Sequence, residues 1–134
     1  MAETRNGSLH GKSVMPSLTV NNLQQSLDFF SGLGFEVEDR WEQDGKLMGV
    51  MLKAGDARLG LSQDDGKKGT NRTKGVGMRI YIEADDDIDQ IAARAKKSGV
   101  ALTREPHDTD WGNRAFEVTE PSGFLMTIGS PPKS

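Results

Sequence analysis

The chain has 134 residues, a net charge of −3 and no cysteine. This length suits one domain that buries a core, and the lack of cysteine excludes disulfides, thiolate catalysis and cysteine-based zinc sites. Acidic and basic residues are mixed along the chain, and no apolar run approaches the roughly 20 residues that a membrane span needs. We therefore expect a cytoplasmic protein that binds neither nucleic acid nor membrane.

Residues 14–62 follow the order β-α-β-β-β, after a polar N-terminal tail of residues 1–13. A β-prone run begins at Val14, and Asn21 or Asn22 is placed to cap a helix of about ten residues. Apolar residues recur in that helix at helical spacing, and glycines end it. Three more strands are predicted over residues 35–41, 47–53 and 57–62.

A polar segment at residues 63–75 is interpreted as a linker, because it contains no apolar residue. The second half, residues 76–130, repeats the order of elements. Its predicted strands cover residues 78–83, 100–104, 114–119 and 124–128, and its helix follows three aspartates. A C-terminal tail of residues 131–134 ends the chain. We predict one α+β domain over residues 14–130, built from two β-α-β-β-β modules.

Three stretches carry a family resemblance: SLTVNNLQQSLDFFSGLGFEVE (17–38), RLGLSQ (58–63) and WGNRAFEVTEPSGFLMTI (111–128). Together they resemble the vicinal oxygen chelate superfamily, which includes glyoxalase I, extradiol dioxygenases, fosfomycin-resistance enzymes and bleomycin-binding proteins. The last stretch is similar to the bleomycin-resistance-like branch, with Glu120 where aspartate is usual. The resemblance implies curved mixed sheets around a cavity, commonly within a homodimer.

The resemblance also implies where a divalent metal is held in metal-using members. These positions fall on Met15 and Met78 at the first strand of each half, and on Gly60 and Thr127 in the closing strands. None is a usual ligand for a hard or borderline cation, because thioethers prefer softer ions, glycine has no side chain and a lone threonine hydroxyl is weak. We therefore predict no metal and no other cofactor.

Aromatic and sulfur-containing side chains are the first candidates for binding a ligand. Trp41 lies at the end of the second strand or in its hairpin, and Trp111 lies in the corresponding connection of the other half. Two indoles in equivalent places suit a planar or cationic ligand; core packing or loop anchoring is the alternative. Met15, Met48 and Met78 offer adaptable apolar surface to a ligand, or else ordinary core packing.

One strand of the second half carries charged candidates. Arg114 begins this strand, where its guanidinium suits a carboxylate or carbonyl oxygen unless it is paired within the protein. Glu117 is expected to share the face of Arg114, as an ion-pair partner or as an acid or base. His107 is the only histidine outside the polar tail, but no nucleophile is evident near it. No catalytic residue is assigned.

Three functional hypotheses remain. The first is a metal-independent small-molecule-binding protein that sequesters an antibiotic or metabolite, and it predicts affinity without turnover. The second is a metal-dependent glyoxalase-like lyase or dioxygenase with an atypical site. The third is a regulatory or structural dimer with a vestigial cavity. The non-ligand residues at the four metal positions favour the first hypothesis.

Overall fold

The structure is a computed structural model that describes residues 7–132. Within them, the helices are α1 (Leu23–Leu33) and α2 (Ile88–Lys97). The strands are β1 (Ser17–Val20), β2 (Glu36–Gln43), β3 (Lys46–Ala54), β4 (Ala57–Gln63), β5 (Arg79–Glu83), β6 (Leu102–Asp108), β7 (Arg114–Thr119) and β8 (Leu125–Gly129). Residues 7–13 of the predicted N-terminal tail are exposed, whereas the rest of that tail and residues 133–134 lie outside the described residues.

Each half forms one four-stranded mixed sheet. In the first half, β1 lies parallel to β4, and β3 and β2 continue the sheet in antiparallel order. In the second half, β5 lies parallel to β8, followed by antiparallel β7 and β6. Parallel neighbours need a crossover connection, and α1 and α2 lie within these connections. The predicted α+β class with two β-α-β-β-β modules is confirmed.

Capping residues determine where the helices begin and end. The side chain of Asn22 accepts a hydrogen bond from the Gln25 N–H at the start of α1, and Asp87 accepts one from the Gln90 N–H at the start of α2. Gly34 ends α1 with a φ of 106°, in the left-handed region that favours glycine. The predicted capping pattern therefore reflects hydrogen bonds that the structure forms.

Helices cover one face of each sheet and leave the other face open. Val50 and Leu52 of β3, and Phe116 and Val118 of β7, are buried on the covered faces. The neighbouring residues in these strands point to the opposite side, because side chains alternate along a strand. We call these sides open face A (Ser17, Trp41, Gly49, Met51 and Gly60) and open face B (Arg79, Tyr81, Glu117 and Thr127).

The two halves meet through their helices. A Cβ atom on Gly32 of α1 would approach Val100 Cγ2 to 2.7 Å and Ser98 Cβ to 3.3 Å, so glycine permits close packing here. Ser26 of α1 is buried and donates its hydroxyl hydrogen to the carboxylate of Glu120, in the turn between β7 and β8. Within residues 7–132, no strand pairing joins the two sheets.

Two predicted strand boundaries differ from the structure by three residues or more. β1 begins at Ser17, three residues later than predicted. Pro16 precedes it and has no N–H with which to extend the ladder. β6 continues to Asp108, four residues further than predicted, and contains Pro106. Because β6 is an edge strand with an irregular register against β7, it tolerates proline.

The segment between the halves is exposed in the middle and held at both ends. Residues 67–73 are exposed. Asp64 and Lys74 form a 2.8 Å ion pair whose side chains are each only 9% exposed. The Asp64 N–H donates to the Val20 carbonyl of the first half, and the Lys74 N–H donates to the Ser122 carbonyl of the second. These hydrogen bonds therefore hold the connection against both halves.

No helix within residues 7–132 is long and apolar enough to span a membrane.

Candidate ligand-binding site

Open face B is produced by the alternation of side chains in three neighbouring strands. Ile80 and Ile82 of β5 pack against the core, so Arg79 and Tyr81 point to the other side. Thr127 of β8 is paired with Tyr81 on one side and with Glu117 of β7 on the other. These pairings place two hydroxyls, a guanidinium and a carboxylate on one surface.

A cavity of about 220 Å³ lies over open face B. β6 contributes Arg104 and His107 to its lining, and the loop between β6 and β7 contributes Trp111, which is 64% exposed. Every lining residue belongs to the second half. Ligand pockets usually measure about 300–1,000 Å³, so this cavity is smaller than a pocket that encloses a drug-sized molecule.

Glu117 lies between two arginines at the floor of this cavity. Its carboxylate oxygens lie 3.6 Å from Arg79 Nη1 and 3.7 Å from Arg104 Nη1. Both distances exceed those of good hydrogen bonds, so the ion pairs are loose. Arg79 Nη1 also donates to Thr127 Oγ1 at 3.1 Å. Arg79 is therefore held by its hydrogen bond to Thr127, and both guanidiniums keep N–H groups for a ligand oxygen.

His107 lines the same cavity and is anchored to the backbone. Its Nδ1 lies 2.9 Å from the Glu105 carbonyl oxygen. Because a carbonyl oxygen only accepts hydrogen bonds, this contact assigns the proton to Nδ1 and leaves Nε2 of the neutral ring as an acceptor. His107 can therefore accept a hydrogen bond from a ligand in the cavity.

Trp41 dominates open face A. Its indole covers Gly49, the residue paired with it on β3, and a Cβ atom on Gly49 would lie only 1.9 Å from the indole Cζ2. Trp41 as a whole residue stays 45% exposed. Nearby, a Cβ atom on Gly60 would meet Ser17 Oγ and Met51 Cε at ordinary contact distances of 3.5 and 3.7 Å. Open face A is thus a shallow surface with one large aromatic ring.

The three methionines proposed as ligand contacts lie at three different strands. Met15 and Met78 lie just before β1 and β5, and both are exposed. Met48 lies in β3 at an irregularity, because Trp41 pairs with Gly49 while the next residue of β2 pairs with Leu47. Met48 is half-buried without a cross-strand partner. None of the three methionines lines the cavity that contains Trp111.

Arg114 lies apart from the cavity of open face B. Its Nη2 lies 3.0 Å from Asp89 Oδ1, its Nε 3.1 Å from Asp89 Oδ2, and its Nη1 3.2 Å from Asp108. The hydrogen bonds from Arg114 hold the pKa of Asp89 below its usual value, and those to Asp89 and Asp108 raise the pKa of Arg114. Arg114 therefore joins β7 to the first turn of α2 rather than lining the cavity.

The expectation that Glu117 shares a face with Arg114 is wrong. The two residues are three apart in β7, and alternation places residues an odd number apart on opposite faces. Glu117 consequently contacts Arg79 and Arg104, while Arg114 contacts α2. The basic side chains of the candidate site are therefore Arg79 and Arg104 rather than Arg114.

The four positions that the family resemblance assigned to a metal lie on or beside the open faces. Gly60 pairs with Ser17, and Met15 precedes that strand. In the second half, the Thr127 hydroxyl accepts a hydrogen bond from Arg79. Among residues 7–132, no group of three or more histidine, cysteine, aspartate or glutamate side chains is placed to hold a metal ion.

Sequence reasoning missed Arg79, Tyr81 and Arg104 as site residues. The signal for the first two was present in the RIYIE stretch of β5, where polar and apolar residues alternate. Arg104 carried no such signal, because its strand has an irregular register and two shifts against β7. The cross-strand neighbours of Thr127 identify the site only after the sheet order is known.

Comparison with known proteins agrees with this architecture. Among solved structures, the hypothetical protein SA1046 from S. aureus has 19% identity and a TM-score of 0.69, covering 91% of this chain and 95% of that one. TioX from Micromonospora sp. ML1 has 17% identity and a TM-score of 0.71, covering 90% and 98%. A superfamily member from Sphaerobacter thermophilus has 22% identity and a TM-score of 0.67, covering 91% and 98%.

The TM-scores show that these proteins share the fold of this chain. A search of curated proteins found no significant match. The model of the glyoxalase/bleomycin resistance protein/dioxygenase superfamily matches residues 12–128, which include both modules and both open faces. The chain therefore belongs to the glyoxalase/bleomycin resistance protein/dioxygenase superfamily.

Proposed function

We propose that this protein binds a small organic molecule at open face B without a metal, and sequesters it rather than converting it. The observation that carries the proposal is the cavity where Arg79, Arg104, Tyr81 and Thr127 adjoin the exposed indole of Trp111. A few placed hydrogen-bonding groups beside an aromatic wall are typical of small-molecule sites. We propose that the ligand is an antibiotic or a metabolite.

The lining favours a ligand with a planar body and at least one oxygen acceptor. Tyr81 is 69% exposed, so its ring and that of Trp111 both present free surface for stacking. Arg79 donates to Thr127 through a single nitrogen, and its other donors have no hydrogen-bond partner within residues 7–132. A carbonyl, carboxylate or phosphonate oxygen would suit these donors.

Metal independence is supported by side-chain chemistry. Two thioethers, one glycine and one hydroxyl occupy the positions where the family resemblance implies ligands: Met15, Met78, Gly60 and Thr127. The Thr127 hydroxyl oxygen is already hydrogen-bonded to Arg79. Hard and borderline divalent ions prefer carboxylate or imidazole ligands. Binding through arginine and aromatic side chains needs no such ion.

We also propose a homodimer in which open face A of one copy covers open face B of the other. The cavity on open face B, at about 220 Å³, is too small to enclose a drug-sized ligand alone. Trp41 exposes almost half of its surface on open face A. Exposed apolar groups on a sheet face are typical of protein interfaces. A second copy would supply the missing wall of the site.

The binding proposal is tested by thermal-shift screening of the full chain, followed by calorimetry. Bleomycin-type drugs and small thiol conjugates are suitable probes, and the protein's metal content is measured first. We expect one probe to raise the unfolding temperature equally with and without chelator. Arg79→Gln should then weaken binding about tenfold, because it removes a charged donor worth about 1.5 kcal/mol or more. Arg94→Gln, on α2, is the matched control.

Three results would overturn this proposal. The first is stoichiometric nickel, zinc or iron whose removal abolishes binding. The second is conversion of the bound probe into a product, which would identify an enzyme. The third is binding that Arg79→Gln and Arg94→Gln weaken equally. Light scattering tests the dimer separately: Trp41→Arg should yield a monomer, and a wild-type monomer at micromolar concentration would contradict the assembly.

A further inference from the structure

A second and larger cavity lies between the two halves. It is a groove of about 860 Å³, bordered by the C-terminal end of α1, the turn between β3 and β4, and the segment from β5 into α2. It shares no lining residue with the cavity of open face B, and neither tryptophan lines it. Its volume lies within the range of about 300–1,000 Å³ that is usual for small-molecule sites.

The floor of this groove is apolar. Phe35 and Ile128 line it and are almost fully buried. Leu33, Ile82 and Ile91 also line it and pack against the core while keeping part of their surface exposed. An apolar molecule resting on this floor would remove that surface from water, which favours binding roughly in proportion to the area covered.

The rim of the groove is strongly acidic. Asp56, Glu83, Asp85 and Asp86 line it, and Arg94 is the single basic residue in the lining. Within residues 7–132, none of these five side chains forms a salt bridge. Among the described residues, these carboxylates therefore have no ion-pair partner. Clefts lined by charge of one sign concentrate ligands of the opposite sign.

Two ordinary explanations account poorly for these acids. The first explanation is a role in helix α2, but Asp87 already caps this helix and Asp89 already pairs with Arg114. Asp85 and Asp86 do neither. A metal site is also not formed, because no group of three or more metal-ligating side chains among residues 7–132 is close enough to hold an ion. The separated carboxylates act on an occupant through their combined field instead.

We propose that this groove binds an organic cation with an apolar body, such as a lipophilic ammonium or phosphonium compound. The apolar body would cover the floor around Phe35 and Ile128, while the charge would lie among the rim carboxylates. The same field would exclude an anion of equal size. This site is separate from open face B, so it goes beyond the proposed function and does not depend on it.

The test compares tetraphenylphosphonium with tetraphenylborate, an anion of nearly the same shape. Calorimetry and amide NMR are carried out on the full chain at low and high salt. We expect saturable one-to-one binding of the cation, at least tenfold tighter than that of the anion and weaker at high salt. Amide shifts should cluster at residues 32–35 and 82–86. Tryptophan fluorescence should stay unchanged, because both indoles lie outside the groove.

A charge-matched pair of variants gives the second test. Glu83→Gln with Asp86→Asn should weaken phosphonium binding roughly threefold to tenfold, as expected for the loss of two exposed charges. Asp28→Asn with Asp39→Asn removes the same charge from exposed positions outside the groove and should leave binding unchanged. The wild-type cation and anion comparison stands even if a variant misfolds.

Several results would overturn the groove proposal. These are equal affinity for cation and anion, equal weakening by both double variants, or amide shifts confined to open face B with a change in tryptophan fluorescence. No saturable binding of the phosphonium would also overturn it. Failure of ligand binding at open face B leaves these outcomes unaffected, because the two sites share no residue.

Discussion

The indole of Trp41 covers Gly49, its partner across β2 and β3, so closely that a Cβ atom on Gly49 would lie 1.9 Å from the indole Cζ2. A glycine on a strand interior is unfavourable by itself, but here it lets an aromatic ring lie on the sheet. Gly49 thus allows Trp41 to contribute to open face A.

Gly49→Ala should displace the Trp41 indole from the sheet. We expect a destabilisation of about 1–3 kcal/mol from overpacking. In a Trp111→Phe background, the fluorescence emission of Trp41 should shift toward that of a solvated indole. Gly60→Ala is the matched control on the same open face, because its Cβ would meet its nearest neighbours at 3.5 Å or more. Equal effects of the two substitutions would contradict this account of Gly49.

Arg114→Gln should lower the unfolding temperature without changing ligand affinity at open face B. The guanidinium donates hydrogen bonds to both carboxylate oxygens of Asp89, so its loss removes the bonds that join β7 to α2. Arg79→Gln should do the reverse, weakening binding more than stability. Parallel thermal unfolding and calorimetry of the two variants check this. If the Arg114→Gln protein folds normally but no longer binds the ligand, Arg114 belongs to the binding site and this account of it is wrong.

Ser26→Ala should destabilise the protein by about 1–3 kcal/mol, because a buried carboxylate oxygen of Glu120 loses its donor. The other Glu120 oxygen accepts from the Ser122 N–H at 2.6 Å and does not replace that bond. Ser31→Ala, at an exposed position of the same helix, should stay within about 0.5 kcal/mol of wild type. Urea unfolding measures both. If Ser26→Ala leaves the free energy of unfolding unchanged, this contact does not couple the halves.

Asp64→Asn should remove an acid-sensitive part of the stability. Hydrogen bonds from Lys74 and the Gly66 N–H hold the pKa of Asp64 well below its ordinary value. A carboxylate whose pKa is lower in the folded state stabilises at neutral pH, and this contribution declines as the pH falls below about 4. The variant should therefore have a lower free energy of unfolding than wild type at pH 7. This difference, measured by urea unfolding at each pH, should become smaller at pH 3. Asp65→Asn, at the exposed neighbouring residue, should show no such gap.

Much of the fold could be predicted because its signals are local. Asn22 and Asp87 cap the helices through hydrogen bonds to residues three positions away, and those spacings are visible in the chain. Period-two and helical patterns identified two halves with the same element order. The pairing of β1 with β4 and of β5 with β8 joins residues far apart in the chain, so local patterns do not contain it and only the structure shows it.

The candidate site depended on contacts between distant residues. Arg114 and Arg79 are both basic residues that begin strands, and sequence pattern alone does not distinguish them. Packing does, because the helices cover one face of each sheet, and the covered face holds Arg114 against Asp89, 25 positions away. Sequence by itself determined the elements and the non-ligand residues at the metal positions. Only the tertiary structure decided which charged side chains share a surface, since that depends on which face each helix covers.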